Sequence, residues 1–237
     1  VKKILIIDNT FDPPHGCPEI QQLLRQASRG LGEVEITAAR APENEIPEDL
    51  SRFDGVVLSG SKTRIEENAP WIDSEMAAVK KLFEAKIPTF GICFGEQIIA
   101  RTLGGKAGVA VRNEFGWAEL EINADSPLFE GLPRRLHSFE YHSDEVFTLP
   151  PNFKLTASSA DCKIQAYDVQ DAPMWGVQFH PERGLEQGIS SLERRQRQNN
   201  EGDRLLNKDK GPELYDPKVG ETIFRNFLKQ VWFIKKT

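Results

Sequence analysis

Cysteine is scarce in this chain of 237 residues, and the three that occur, Cys17, Cys93 and Cys162, are odd in number and far apart. That spacing excludes the disulfide framework of a small secreted domain and points to a reducing, cytoplasmic setting. No Cys-x-x-Cys pair or histidine cluster offers the ligand spacing of a structural zinc site, and no metal is expected. Basic residues do not predominate: 30 Lys and Arg face 36 Asp and Glu, and the formal charge of −6 argues against a phosphate-backbone ligand. Nucleic acid is not an expected partner. Long apolar runs are also missing. Ile4-Leu5-Ile6-Ile7 is closed by Asp8 and is too short for a membrane span or a signal-peptide core, so no membrane is expected.

What is present, 39% hydrophobic and 28% charged residues, describes an ordinary globular chain long enough to bury a core without disulfides or metal. One domain over residues 1–237 is the expectation. In the first half, short apolar runs alternate with helical patterns, which predicts parallel strands joined by crossover helices. Strands are expected at 3–8, 33–38, 54–58 and 87–93, and helices at 19–28, 72–85 and 94–103. The second half places strand-like pieces close together (118–122, 154–158, 163–167, 174–179), which predicts hairpins extending the sheet. The fold class is therefore α/β, an open and mostly parallel sheet with helices on both faces and an antiparallel extension. Residues 184–218 differ in composition. Arg194-Arg195-Gln196-Arg197-Gln198-Asn199-Asn200 has nothing apolar to bury, which predicts a flexible, solvated insertion. Helical periodicity returns at 222–234.

Two segments carry chemistry. In Gly91-Ile92-Cys93-Phe94-Gly95-Glu96-Gln97 an apolar strand runs through Gly-x-Cys-x-Gly straight into a helix. This is the cysteine counterpart of the elbow that exposes a serine nucleophile above a sheet edge. The glycines relieve crowding in the turn, and the helix starting at Phe94 aims N–H groups and its positive end at the sulfur. Taken alone, the segment leaves open a second reading, in which Cys93 is a small buried apolar residue at a strand end. The second segment, Gly176-Val177-Gln178-Phe179-His180-Pro181-Glu182, supplies what the first lacks. The proline keeps His180 extended, and extended residues two apart point the same way, so Glu182 can reach the imidazole that faces Cys93. A carboxylate there fixes the tautomer and stabilises the imidazolium.

Together these segments resemble the paired signatures of class I glutamine amidotransferases, with a flavodoxin-like architecture. The resemblance runs from Ile4–Asn9 to residues 223–227. It implies a Cys93, His180, Glu182 triad and an oxyanion hole formed by the N–H groups of Gly60 and Phe94. It also implies substrate contacts from Gln97 and from a loop carrying Tyr141, His142, Ser143 and Asp144, with Asp144 on the α-ammonium. Glutamine or another γ-glutamyl compound would be the substrate, a synthase subunit the recipient of ammonia, and no cofactor is implied. The chain departs from the synthetase-linked pattern at Ser59-Gly60-Ser61-Lys62, where those members carry a Gly-Gly-Pro-like stretch, and at Glu96, where His or Met is usual. Phe115-Gly116-Trp117 and His142-Ser143-Asp144-Glu145-Val146 look closer to stand-alone relatives, which resemble the amidotransferase part of GMP synthetase and include γ-glutamyl peptidases. No ATP-pyrophosphatase loop or phosphate-binding Gly-x-x-x-x-Gly-Lys-Ser/Thr loop occurs, so this chain cannot drive amination with ATP by itself. A γ-glutamyl peptidase with the same triad is the alternative function, and a non-catalytic binding module of the same fold is the third.

Overall fold

The computed structural model describes residues 1–67, 69–198 and 203–234. Strands β1 (Lys2–Asp8), β2 (Val34–Arg40), β3 (Gly55–Leu58), β4 (Thr89–Ile92) and β9 (Met174–Val177) lie parallel, in the spatial order β2-β1-β3-β4-β9. Ile4 to Ile7 and Val56 to Leu58 are fully buried, as expected for strands covered on both faces. Helices α1 (Pro18–Ala27) and α6 (Pro217–Phe233) cover one face through Ile20, Leu24, Ile223, Phe224 and Phe227. Helices α2 (Pro70–Glu84) and α3 (Phe94–Thr102) cover the other through Ile72, Val79, Leu82, Ile98 and Ile99. Beyond β9 the sheet turns antiparallel through β8 (Ala166–Val169), β7 (Phe153–Ser159), β5 (Lys106–Ile122) and β6 (Arg135–Thr148). No described helix is long and apolar enough to cross a membrane.

Two segments depart from the sequence reading. Residues 141–144, expected in a loop, lie inside β6, a 14-residue strand paired with the 17-residue β5. A register shift between Val109 and Glu114 breaks the alternation on which strand recognition depends. Residues 184–218, expected to stay solvated, are folded wherever they are described. They form α4 (Leu185–Gln198), a short β10 (Leu205–Leu206) parallel to β5, and α5 (Gly211–Leu214). They wrap around Trp117. A Cβ on Gly188 or Gly211 would come within 2.8 or 2.6 Å of its ring, and Asn207 Nδ2 donates to its carbonyl at 2.8 Å. The apolar surface that holds α4 belongs to β5 and β6, where Phe115, Trp117 and Phe139 enclose Leu192. That is why a helix with one fully buried large side chain has a place to sit. Asn199 and Asn200 lie outside the described residues.

Candidate active site

The three central parallel strands end side by side: β3 at Leu58, β4 at Ile92 and β9 at Val177. Their registers pair Leu58 with Gly91 and Ile92 with Val177, and the Cys93 N–H continues the ladder by donating to the Val177 carbonyl at 2.8 Å. Gly60, Cys93 and His180 therefore converge at the carboxyl edge of the sheet, where open α/β sheets place ligand chemistry. Cys93 takes φ 51° and ψ −108°, a strained conformation for a side chain with a Cβ. Close backbone approach imposes the turn: a Cβ on Gly91 would lie 2.6 Å from the Gly95 carbonyl, and one on Gly95 would lie 2.5 Å from the Leu58 oxygen. Phe94 opens α3, so no earlier carbonyl of that helix reaches its N–H.

A Cβ placed on Gly60 would stand 2.9 Å from His180 Cε1 and 3.5 Å from Cys93 Cβ, so the imidazole and the cysteine flank this glycine. His180 Nδ1 donates to Glu182 Oε1 at 2.6 Å, which leaves Nε2 buried, without a hydrogen bond to oxygen or nitrogen, on the side of Cys93. Its main-chain N–H donates to the Phe139 carbonyl at 2.7 Å and anchors the loop to β6. Burial opposes charge on His180, but the Glu182 carboxylate and Cys93 outweigh it and push the imidazole up to about 10. Burial likewise works against the Glu182 carboxylate, yet the facing imidazolium holds it below the ordinary range. Burial raises both other thiols, Cys17 and Cys162.

Cys93 opens into a cleft of about 200 Å³ that Gln97, Tyr141, His142, Ser143 and Asp144 also line. Gln97 Nε2 donates to the Asp144 carbonyl at 2.9 Å and to Gln178 Oε1 at 3.0 Å. The Asp144 carboxylate accepts from Arg64 Nη2 at 2.9 Å and from the Ile65 N–H at 3.0 Å. Both of its oxygens are thus tied to the segment after β3, and each keeps a further lone pair. Four cations also line the cleft: Lys62, Arg64, Arg194 and Arg195. Arg194, Arg195 and Gln198 come from α4, and sequence reasoning missed them because it left that segment in solvent. Arg195 lies 4.1 Å over the Phe115 ring and binds both oxygens of Asp203. A second hollow of about 230 Å³ touches His180 and Glu182 from the opposite side, between α1 and α6, without reaching Cys93.

Next to Gly60, Asn9 Nδ2 donates to the Ser59 carbonyl and to Glu75 Oε1, both at 3.0 Å, and Ser59 Oγ accepts from the Asn9 N–H. This buried network fixes the end of β3.

Comparisons with known proteins agree with this fold. The family model described as "Glutamine amidotransferase class-I" matches residues 18–196. The chain is 48% identical to a subunit of the glutamine-hydrolyzing GMP synthase of Pyrococcus abyssi over 163 residues, covering 68% of this chain and 84% of that protein. It is 41% identical to the glutamine-hydrolyzing GMP synthase of Caldicellulosiruptor saccharolyticus over 129 residues, 54% of this chain but only 24% of that longer protein. A glutamine amidotransferase from Thermotoga maritima superposes with a TM-score of 0.79 over 98% of this chain and 99% of the other, at 21% identity, a likeness of fold. With the family model matching three quarters of its length, the chain belongs to the class I glutamine amidotransferases.

Proposed function

We propose that this chain hydrolyses the γ-carboxamide of glutamine through a γ-glutamyl thioester on Cys93 and passes the ammonia to a synthase subunit. The observation that carries the reading is the convergence of Cys93, the Glu182-bound His180 and Gly60 at one sheet edge. In this reading the Cys93 thiol passes its proton to His180 Nε2 as its sulfur attacks the γ-carbonyl carbon, and the oxyanion lies between the N–H groups of Gly60 and Phe94. His180 Nε2 gives its proton to the departing nitrogen, and the C–N bond breaks to release ammonia. The same nitrogen then takes a proton from the water that attacks the thioester, freeing glutamate and the thiol. Glu182 holds the ring and its charge throughout. Gln97 and Tyr141 shape the γ-glutamyl side of the cleft, and Ser143 lies at its exposed edge. Asp144 positions Gln97 through its carbonyl and Arg64 through its carboxylate, and the free lone pairs of that carboxylate receive the α-ammonium. Relatives described as separate subunits of a glutamine-hydrolyzing GMP synthase support a synthase partner, and a reducing, cytoplasmic compartment keeps Cys93 a thiol.

A second reading keeps the acyl-enzyme but cleaves γ-glutamyl peptides. The cationic mouth favours it, since Arg194 forms no ion pair among the described residues and stands ready for a leaving group with its own carboxylate. Steady-state ammonia release from glutamine, measured beside γ-glutamyl dipeptide cleavage, tests the assignment. Turnover of glutamine that disappears in Cys93→Ser is expected. Dipeptide turnover with no ammonia from glutamine, whether the synthase is absent or present, would establish the second reading.

A further inference from the structure

Below the cleft, β5 and β6 bring together three side chains that the hydrolytic chemistry does not use. Glu114, Glu140 and His142 are 1%, 0% and 4% exposed. Glu114 is the register partner of His142, and Glu140, two residues earlier on β6, points to the same face. His142 Nε2 stands 3.2 Å from Glu114 Oε2 and 3.4 Å from Glu140 Oε2, and one ligand atom from each residue lies within 4.8 Å of the other two.

The hydrogen count makes this cluster unusual. His142 Nδ1 is 3.1 Å from the Asp144 carbonyl, which can only accept, so Nδ1 carries a hydrogen. In the neutral ring, Nε2 then presents a lone pair to two carboxylates. A proton on Nε2 serves Glu114 but leaves both Glu140 oxygens, fully buried, without a hydrogen bond of good geometry. A buried carboxylate without hydrogen bonds is costly even beside a charge. Two carboxylates and a neutral imidazole would instead balance one divalent cation. A tetrahedral ion with ligand bonds of roughly 2.0–2.2 Å holds its ligand atoms about 3.3–3.6 Å apart, close to the two separations observed.

Supporting contacts surround the ligands. Gln165 Nε2 donates to Glu114 Oε2 at 3.1 Å, Ser159 Oγ to Glu114 Oε1 at 3.4 Å, and the Asp144 carbonyl fixes the imidazole tautomer. His142 also lines the cleft, so the cluster sits directly beneath it. We propose that Glu114, Glu140 and His142 bind one divalent transition-metal ion, zinc before others. The ion clamps β5 to β6 and steadies the Asp144 carbonyl that receives Gln97, without touching the reacting amide.

The test uses the full chain, stripped with chelator, reloaded with zinc alone, desalted and analysed by elemental mass spectrometry. About one zinc per chain is expected, retained in Cys93→Ser and reduced at least tenfold in Glu140→Gln. Cobalt loading should give a visible d–d band that Glu140→Gln lacks. Circular dichroism checks that the isosteric Gln variant is folded, and if it is not, Glu140→Asp takes its place. Three results would each overturn the proposal: no zinc retained by wild type, equal retention by the Glu140 variant, or loss in Cys93→Ser with retention in the Glu140 variant. The last would put the ion on the nucleophile, and the first would leave a proton as the third partner of the cluster.

Discussion

Cys93 adopts a backbone conformation that costs on the order of 1–3 kcal/mol, sustained by the contacts of Gly91 and Gly95 with neighbouring backbone. The strain holds the sulfur at the edge of the sheet beside a histidine whose other nitrogen is already committed to Glu182. The two partners of that cysteine have unequal jobs. In the proposed mechanism His180 moves protons, whereas Glu182 orients the ring and supports its charge. His180→Ala should abolish turnover, and Glu182→Gln should lower kcat by about 10²–10⁴-fold in a folded enzyme. Removing the carboxylate should also let His180 titrate below about 10, because the larger of the two charges that raise it is gone while burial remains. Steady-state kinetics and histidine NMR titration check both. Complete loss of turnover in Glu182→Gln with an unmoved imidazole would contradict this division. These residues were legible in the sequence because the chemistry sits in two contiguous stretches, each a strand end followed by a turn.

At the scale of elements, legibility followed whether a segment carries its own apolar pattern. The parallel strands do: Ile4-Leu5-Ile6-Ile7 and Gly55-Val56-Val57-Leu58 announce themselves. β6 does not, since Glu140, His142 and Asp144 occupy its buried positions, and inward-facing polar residues read as a loop. α4 does not either, because most of the surface that buries it lies about 70 residues earlier, on Phe115 and Trp117. The same polar strand hid the ion cluster, and the same helix hid Arg194 and Arg195. Leu192, 4% exposed, is the side chain that seats α4. Leu192→Ala should cost roughly 2–5 kcal/mol of docking. Because α4 forms one wall of the cleft, KM should rise more than kcat falls, and proteolysis near Arg194 should quicken. Unchanged KM and an unchanged cleavage rate would mean that α4 does not shape the cleft.

Across the whole molecule, the parallel half of the sheet delivers Cys93, His180 and Gly60, while the antiparallel half builds the facing wall of the cleft. The joint between them is buried and polar, which ties stability to pH. Glu75 lies on α2, fully buried, with Asn9 on one oxygen and no hydrogen-bond partner on the other; burial pushes its carboxyl up to about 8 despite the Asn9 contact. A raised carboxyl favours the folded state while it is protonated. Its contribution is fully present below the ordinary value near 4.5 and is lost as pH rises through about 8. Glu75→Gln retains an acceptor for Asn9 and cannot ionise. Its melting temperature should exceed that of wild type at pH 8 and above, and the gap should close toward pH 4.5. A gap that does not vary with pH would show that Glu75 is not the group responsible.

The account rests most heavily on Cys93 as the nucleophile, because among the described residues it is the cysteine that flanks Gly60 together with His180, while Cys17 and Cys162 are buried thiols held protonated. Incubating the protein with a diazo-ketone analogue of glutamine and mapping the adduct by peptide mass spectrometry puts this to the test. One covalent adduct per chain is expected, on Cys93, forming at a rate that collapses in His180→Ala. An adduct on Cys17 or Cys162, or labelling of Cys93 that proceeds unchanged without His180, would contradict it.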